Sequence, residues 1–405
     1  AGILAVVLML ADRLPETVVA LAVLAILPIW WLPRIARGRF FARTPADIPL
    51  LILLATLPVG YWASALPDLS VPILIQYLIA VTLFYSLVNS LTTSRKVELS
   101  GWALLAGTAL LTGLSLVGTA WGGGKFLPPD LARRVPHLIG GFWYSAGFHP
   151  NIVGGALAVL VPVTAAYAWL TRPWPLRLLL WLLLAAEIVT LALTQARGAV
   201  LGFAVAMLVV AIGRDRRWAW SIPILVIAVA VAVALYGGQP ALELVMGGFG
   251  DGTIRSAEGR LEIFSRGLYM LQDFPFTGVG LGMFPRVLPI LYPLFLVGPD
   301  ADMPHVHNIY LQMGIDHGFP GLIAFLALII LLWVMGMQAI RLSRGQPWEP
   351  LTIGLLAGLA AYLVHGWVDA IWHTPRSHII IWGYFGLLAA VWRWVKTHST
   401  ATIDR

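Results

Sequence analysis

"GLIAFLALIILLWVMGMQAI", residues 321–340, holds no charged side chain, and its reading decides the fold. As a helix, a run of this length spans about 30 Å, the thickness of a bilayer's hydrocarbon core. Backbone amides in hydrocarbon must be satisfied within the segment, which a helix achieves and an open strand does not. A β-barrel would instead show alternating stretches of about ten residues. The whole chain agrees: 59% of its 405 residues are hydrophobic and 11% charged, against about 25% charged in soluble domains.

Similar runs predict about twelve helices, at 1–11, 17–33, 46–63, 71–91, 99–120, 151–170, 176–195, 198–213, 219–236, 318–338, 351–370 and 378–395. The expected fold is all-α: a polytopic membrane protein forming a single membrane-embedded domain over 1–405. Short connections carry Arg34, Arg95, Arg172, Arg214 and Arg341, and the C-terminal tail Arg393 and Lys396. Basic short loops stay cytoplasmic, so both ends are placed inside. The same rule explains the pI of 9.9 without nucleic acid as a partner; membrane lipids are the expected surroundings. The sequence opens inside an apolar stretch, "AGILAVVLMLA", with no cleavable signal-peptide pattern. With no Cys, neither a disulfide nor a thiolate ligand is available. One connection is long: an extracytoplasmic loop over 237–317, a length that usually carries function.

Within that loop "GRLEIFSRGLYMLQDFPF" predicts a helix from about 257 to 273, stopped by Pro275. Leu261, Ile263, Phe264, Leu268, Met270 and Leu271 fall on one broad face, with Glu262, Ser265, Arg266, Tyr269 and Gln272 opposite. Arg266 follows Glu262 by four residues, a spacing that suits a solvated ion pair. Arg260 falls in the apolar face, where a guanidinium must snorkel, pair or hold an anion. Arg197, between the seventh and eighth spans, and Arg255, in "GDGTIRSAEG", are the further basic candidates at this face. Guanidinium groups grip phosphate through paired hydrogen bonds, so a diphosphate at the membrane surface is the expected ligand. A polyprenyl-diphosphate sugar carrier has that chemistry, and preorganised cations would stabilise its leaving group.

"MPHVHNIYLQMGIDHGFPGL", residues 303–322, concentrates polar side chains at the mouth of the tenth span. A neutral imidazole at His307 suits removal of a proton from an acceptor hydroxyl. Asn308 and Gln312, four apart, could orient a sugar. Gly314, Gly318 and Gly321 would let this helix pack closely on a neighbour. Weaker positioning candidates are His149 and Asn151 around Pro150, where a helix start is the simpler reading, and His365 with Asp369. Asp300, Asp302, His305 and His307 lie close in sequence, but their spacing fits no strong metal motif.

At these residues a resemblance appears. "RGAVL" at 197–201 looks like the Arg-x-x-x-Leu motif of the O-antigen ligase and O-antigen polymerase superfamily. His307-Asn308, nine residues, then Gly318-x-x-Gly321 resembles its His-Asn-x9-Gly-x-x-Gly motif. The 259–284 segment is similar to the stretch between them. The resemblance implies a glycosyltransferase that moves a glycan from undecaprenyl diphosphate to an acceptor, lipid A–core or another glycan or lipid. It implies inversion at the sugar carbon, no cofactor or metal, and action outside the bacterial inner membrane. It further implies diphosphate binding by Arg197 and Arg260 and base catalysis by His307, and it leaves ligase and polymerase undivided. The rival from another class is a lipid-linked glycan flippase or carrier, suggested by Glu187 midway through the seventh span. A binding scaffold without chemistry would differ only in lacking a base.

Overall fold

The computed structural model describes residues 42–119, 121, 148–236, 257–298, 301–370 and 375–403. The first two expected spans, 1–11 and 17–33, lie outside the described residues. In chain order the helices are α1 (Asp47–Trp62), α2 (Pro67–Ser90), α3 (Ser94–Gly118), α4 (Pro150–Leu170), α5 (Trp174–Thr194), α6 (Arg197–Arg214), α7 (Ser221–Tyr236), α8 (Ala257–Asp273), α9 (Phe284–Leu291), α10 (Ile309–Leu342), α11 (Glu349–His365) and α12 (Pro375–Ile403). No strand occurs among them, so the chain is an all-α, multi-pass membrane protein. Among the described residues, seven helices are long and apolar enough to cross a membrane: α2 to α6, α10, and the 377–398 part of α12. Helices α1 and α11 are shorter and apolar.

The centre of the bundle is α11, whose residues from Pro350 to Tyr362 are all buried. It packs chiefly on α4 and α6. Small residues permit the approach: a methyl group on Gly354 would come within 2.6 Å of the Val163 Cα, and one on Gly202 within 2.7 Å of the Ala361 carbonyl. In lipid, where apolar burial adds little between helices, such close packing carries the association. Helix α5 faces outward, with Leu178, Leu179 and Leu182 exposed.

Helix ends differ from the expected spans at several places, and two of the differences shape the site. Helix α10 starts at Ile309 rather than 318, because the Asn308 side chain accepts the amides of Tyr310 and Leu311, each at 3.0 Å. It is then broken at Gly318, with φ 65° and ψ −173°, a conformation open essentially only to glycine. There the Phe319 amide donates to the Pro275 carbonyl at 2.7 Å, and the Val279 amide to the Ile315 carbonyl at 2.8 Å. Helix α11 ends at His365 rather than 370. The amides of Val368 and Asp369 both return to the His365 carbonyl, and Asp369 Oδ1 accepts the Ala370 amide at 2.8 Å. Asp369 therefore stands on a turn beyond the helix.

Candidate active site

Helices α4, α6 and α10 begin at one end of the bundle, where α5 and α11 finish, and α8 reaches that end through Arg260. A left-handed Gln195, φ 52°, closes α5 and lets α6 begin two residues later at Arg197. A cavity there is lined by Asn151, Ala196, Gly198, Arg260, His365, Val368 and Asp369. Arg197 lies between two of those residues. Three segments far apart in sequence thus meet around the 365–369 turn.

Arg260 is 1% exposed, and its guanidinium donates to the Val368 carbonyl at 2.6 Å. Burial lowers its pKa to about 10, opposed by the Asp369 carboxylate, so the group remains charged at neutral pH. The buried face of α8 differs from the expected wheel: it holds Arg260, Ile263, Met270 and Leu271 together with Glu262, while Leu261 and Leu268 are exposed. Glu262 was expected on a solvated face with Arg266. That pair exists at 3.5 Å, but the carboxylate mainly accepts backbone amides, from Phe295 at 2.7 Å, Leu296 at 2.8 Å and Val297 at 3.3 Å. Arg255 lies outside the described residues.

His307 adopts φ +53°, one of two non-glycine residues with positive φ among the described residues. Such a conformation costs about 1–3 kcal/mol and persists only where its surroundings enforce it. Four bonds do so. The Ile309 amide donates to the Gly366 carbonyl at 2.8 Å, and Asn308 Nδ2 to the Trp367 carbonyl at 3.2 Å. Gln312 Oε1 accepts the Val306 amide at 3.1 Å, while its Nε2 donates to Asp316 Oδ2 at 3.0 Å. The His307 amide itself donates to His305 Nδ1 at 3.1 Å. Asn308 and Gln312 thus turn inward to hold the loop. The twist sets His307 Nδ1 3.5 Å from Asp369 Oδ1.

His305, which sequence reasoning weighed only for metal, completes this cluster. Its Nε2 stands 3.8 Å from the same Asp369 oxygen, and its ring packs edge-on at 4.2 Å from that of His307. By distance alone His305, His307 and Asp369 could share a metal ion, since their ligand atoms lie within 4.8 Å of one another. The hydrogen bonding argues otherwise. A backbone N–H can only donate, so His305 Nδ1 is an acceptor and the proton of the neutral ring sits on Nε2, facing Asp369. A metal there would have to displace that proton or break the loop's bond. Burial pushes the Asp369 carboxyl up, but the hydrogen bond from His307 and the fields of His305, His307 and His365 outweigh it, holding the group below the usual carboxylate range. The arrangement can accept a proton at His307 Nε2 while Asp369 stabilises the resulting imidazolium.

His365 and Asp369 both line the cavity, joined by the Asp369 amide to the His365 carbonyl at 3.1 Å. Asn151 lines it from the first turn of α4, whereas His149 precedes that helix, exposed, its carbonyl taking the Ile152 and Val153 amides. Glu187 is remote from this end: it is fully buried between α5 and α4, with Oε1 accepting the Thr164 hydroxyl at 3.0 Å.

A bundle of apolar spanning helices with a basic, imidazole and carboxylate cluster at one mouth defines a multi-pass membrane protein equipped for polar chemistry at the lipid surface. Residues 178–326 match the family model described as O-antigen ligase, which places this stretch in the O-antigen ligase and polymerase superfamily of membrane glycosyltransferase-like enzymes. The match takes in Arg197, Arg260 and His307 and stops short of His365 and Asp369. No curated protein matches the chain.

Proposed function

We propose that the chain is an O-antigen ligase-like glycosyltransferase, moving a glycan from undecaprenyl diphosphate to an acceptor hydroxyl, on lipid A–core or a related glycan or lipid. It would act in the bacterial inner membrane with the site facing the periplasm. The observation that carries this reading is the joining of Arg260, Asp369 and His307 through one turn, 368–369, at one mouth of the bundle. His307 Nε2 takes the acceptor's proton as its oxygen attacks the anomeric carbon. The bond from that carbon to the diphosphate breaks on the opposite face, its electron pair leaving with the phosphate oxygen. Arg260 and Arg197 balance the developing charge, and Asp369 balances the imidazolium. With the cations supplied by arginine, the reading requires no metal ion. The carrier alternative has less support: Glu187 is engaged by the Thr164 hydroxyl inside the bundle, whereas His305, His307 and Asp369 gather at one mouth.

Purified protein incubated with a synthetic lipid-diphosphate glycan and candidate acceptors tests the reading by product mass. A glycan joined to the acceptor supports it, and persistence of activity in a chelator supports the metal-free form. A lengthened glycan still on the lipid diphosphate would assign the polymerase reaction instead. Flux across liposomes with an unaltered glycan would replace the transferase with a carrier.

A further inference from the structure

The stretch that follows α8 is built to hold apolar side chains outward. Glu262 accepts the amides of 295, 296 and 297, while Arg266 Nε donates to the Pro293 carbonyl at 3.1 Å. Leu294 is anchored in a small apolar core with Ile263, Met270 and Phe284. With the backbone fixed in this way, Phe295 is 74% and Leu296 68% exposed, next to Ile290 at 76% and Leu291 at 58% on α9. A short segment held so firmly would ordinarily bury such side chains.

Its level along the bundle shows what meets them. The run into α9 is stitched to the spanning helices: the Leu281 amide donates to the Gly60 carbonyl of α1 at 3.3 Å, and Ser70 of α2 donates to the Leu281 carbonyl at 2.7 Å. Gly282 abuts Ile73, six residues into α2, or about 9 Å along its axis from Pro67. Helix α9 therefore starts level with the interior of a membrane-spanning helix. The exposed apolar surface is also continuous with the lipid-facing one. Phe276 lies beside Gly318, and from there Phe319, Ile323 and Ile330 run exposed down α10. Arg286 is exposed on α9, and a basic side chain beside apolar ones suits an interface with anionic headgroups.

We propose that residues 290–296 form a membrane-inserted lip, with Ile290, Leu291, Phe295 and Leu296 among the lipid acyl chains of the leaflet at the site's end of the bundle. The lip keeps α8, and with it Arg260, at the level where a lipid-borne diphosphate lies. The docking rests on the membrane-spanning fold and stands or falls independently of the transfer chemistry.

Because the chain has no Cys, single labels are clean. Ile290→Cys, Phe295→Cys and Asp302→Cys proteins, each carrying an environment-sensitive fluorophore, are reconstituted into phosphatidylcholine–phosphatidylglycerol vesicles. Each is checked for a monodisperse profile in detergent. Labels at 290 and 295 should emit at shorter wavelength, be quenched by lipids doxyl-labelled high on the acyl chain and resist aqueous iodide. The label at 302, exposed in the same region, should do the reverse. Iodide quenching at 295 equal to that at 302 would overturn the proposal. Protection that grows with the protein-to-lipid ratio would also overturn it, assigning the surface to a second copy of the chain.

Discussion

The left-handed backbone of His307 separates two things a linear reading treats as one: being present near the site and being aimed at Asp369. His307→Gln should leave the loop's bonds intact and lower turnover by about 10²–10⁴-fold, with donor binding unchanged in a titration. Asp369, held below the usual carboxylate range, is ionised at neutral pH. Asp369→Asn keeps the shape of the side chain but removes the charge that balances the imidazolium formed during transfer, so single-turnover rates should fall while donor binding stays as it is. The same carboxylate stabilises the fold above its ordinary value of about 4, and that contribution is lost as pH drops through its lower folded value. His305 acts through its neighbours. In His305→Asn the amide oxygen can stand where Nδ1 stood and still accept the His307 amide, whereas His305→Ala frees that backbone. The alanine variant should be slower than the asparagine variant by about tenfold, the worth of one hydrogen bond, and single-turnover rates distinguish them. His307 was legible in sequence as an imidazole in a greasy surround. The partnership of His305 and Asp369 was not, since it depends on one φ angle and on a helix ending five residues early.

Elements were largely legible, because the length of an apolar run fixes a spanning helix with little help from tertiary contacts. All ten expected spans within the described residues correspond to helices. What escaped was the use made of particular positions. Gly318, expected inside a close-packed helix face, is the break where α10 meets the turn after α8, and a methyl there would stand 2.5 Å from the Phe276 backbone. Arg260 stood out because a guanidinium in an apolar stripe demands a partner. Glu262 did not, because a helical wheel scores a carboxylate as solvated and cannot see the amides of 295–297 brought round to it. Glu262→Ala should leave those three amides without their charged acceptor. Hydrogen bonds to charged groups contribute about 1.5–3 kcal/mol each, so the 293–298 loop should open. Hydrogen–deuterium exchange should show faster labelling of 295–297, with the exchange of α11 unchanged.

At the scale of the molecule, the site exists because α6, α8, α10 and α11 place their ends around one turn, and none of the spanning helices supplies it alone. That convergence is not written in any local pattern: Arg197 and Asp369 are far apart in sequence, and what joins them is how closely α6 lies against α11. At Gly198 the first turn of α6 meets the 365–369 turn, since a side chain there would collide with Val368 and come within 3.4 Å of the His365 ring. Gly198→Val removes no candidate functional group and has no proton or charge to lose. It should push the 365–369 turn away from α6, carrying the acceptor of Arg260 and the partner of His307 with it. Displacements of about 1 Å at a reacting centre can cost about 10²-fold in rate, whereas the bulk of the α4–α6–α11 contact lies deeper in the bundle and should hold. The expected result is a large loss of transfer with a thermal unfolding midpoint close to that of the parent. A variant that transfers glycan at the parent rate would mean that the 368–369 turn does not set the geometry of the reaction.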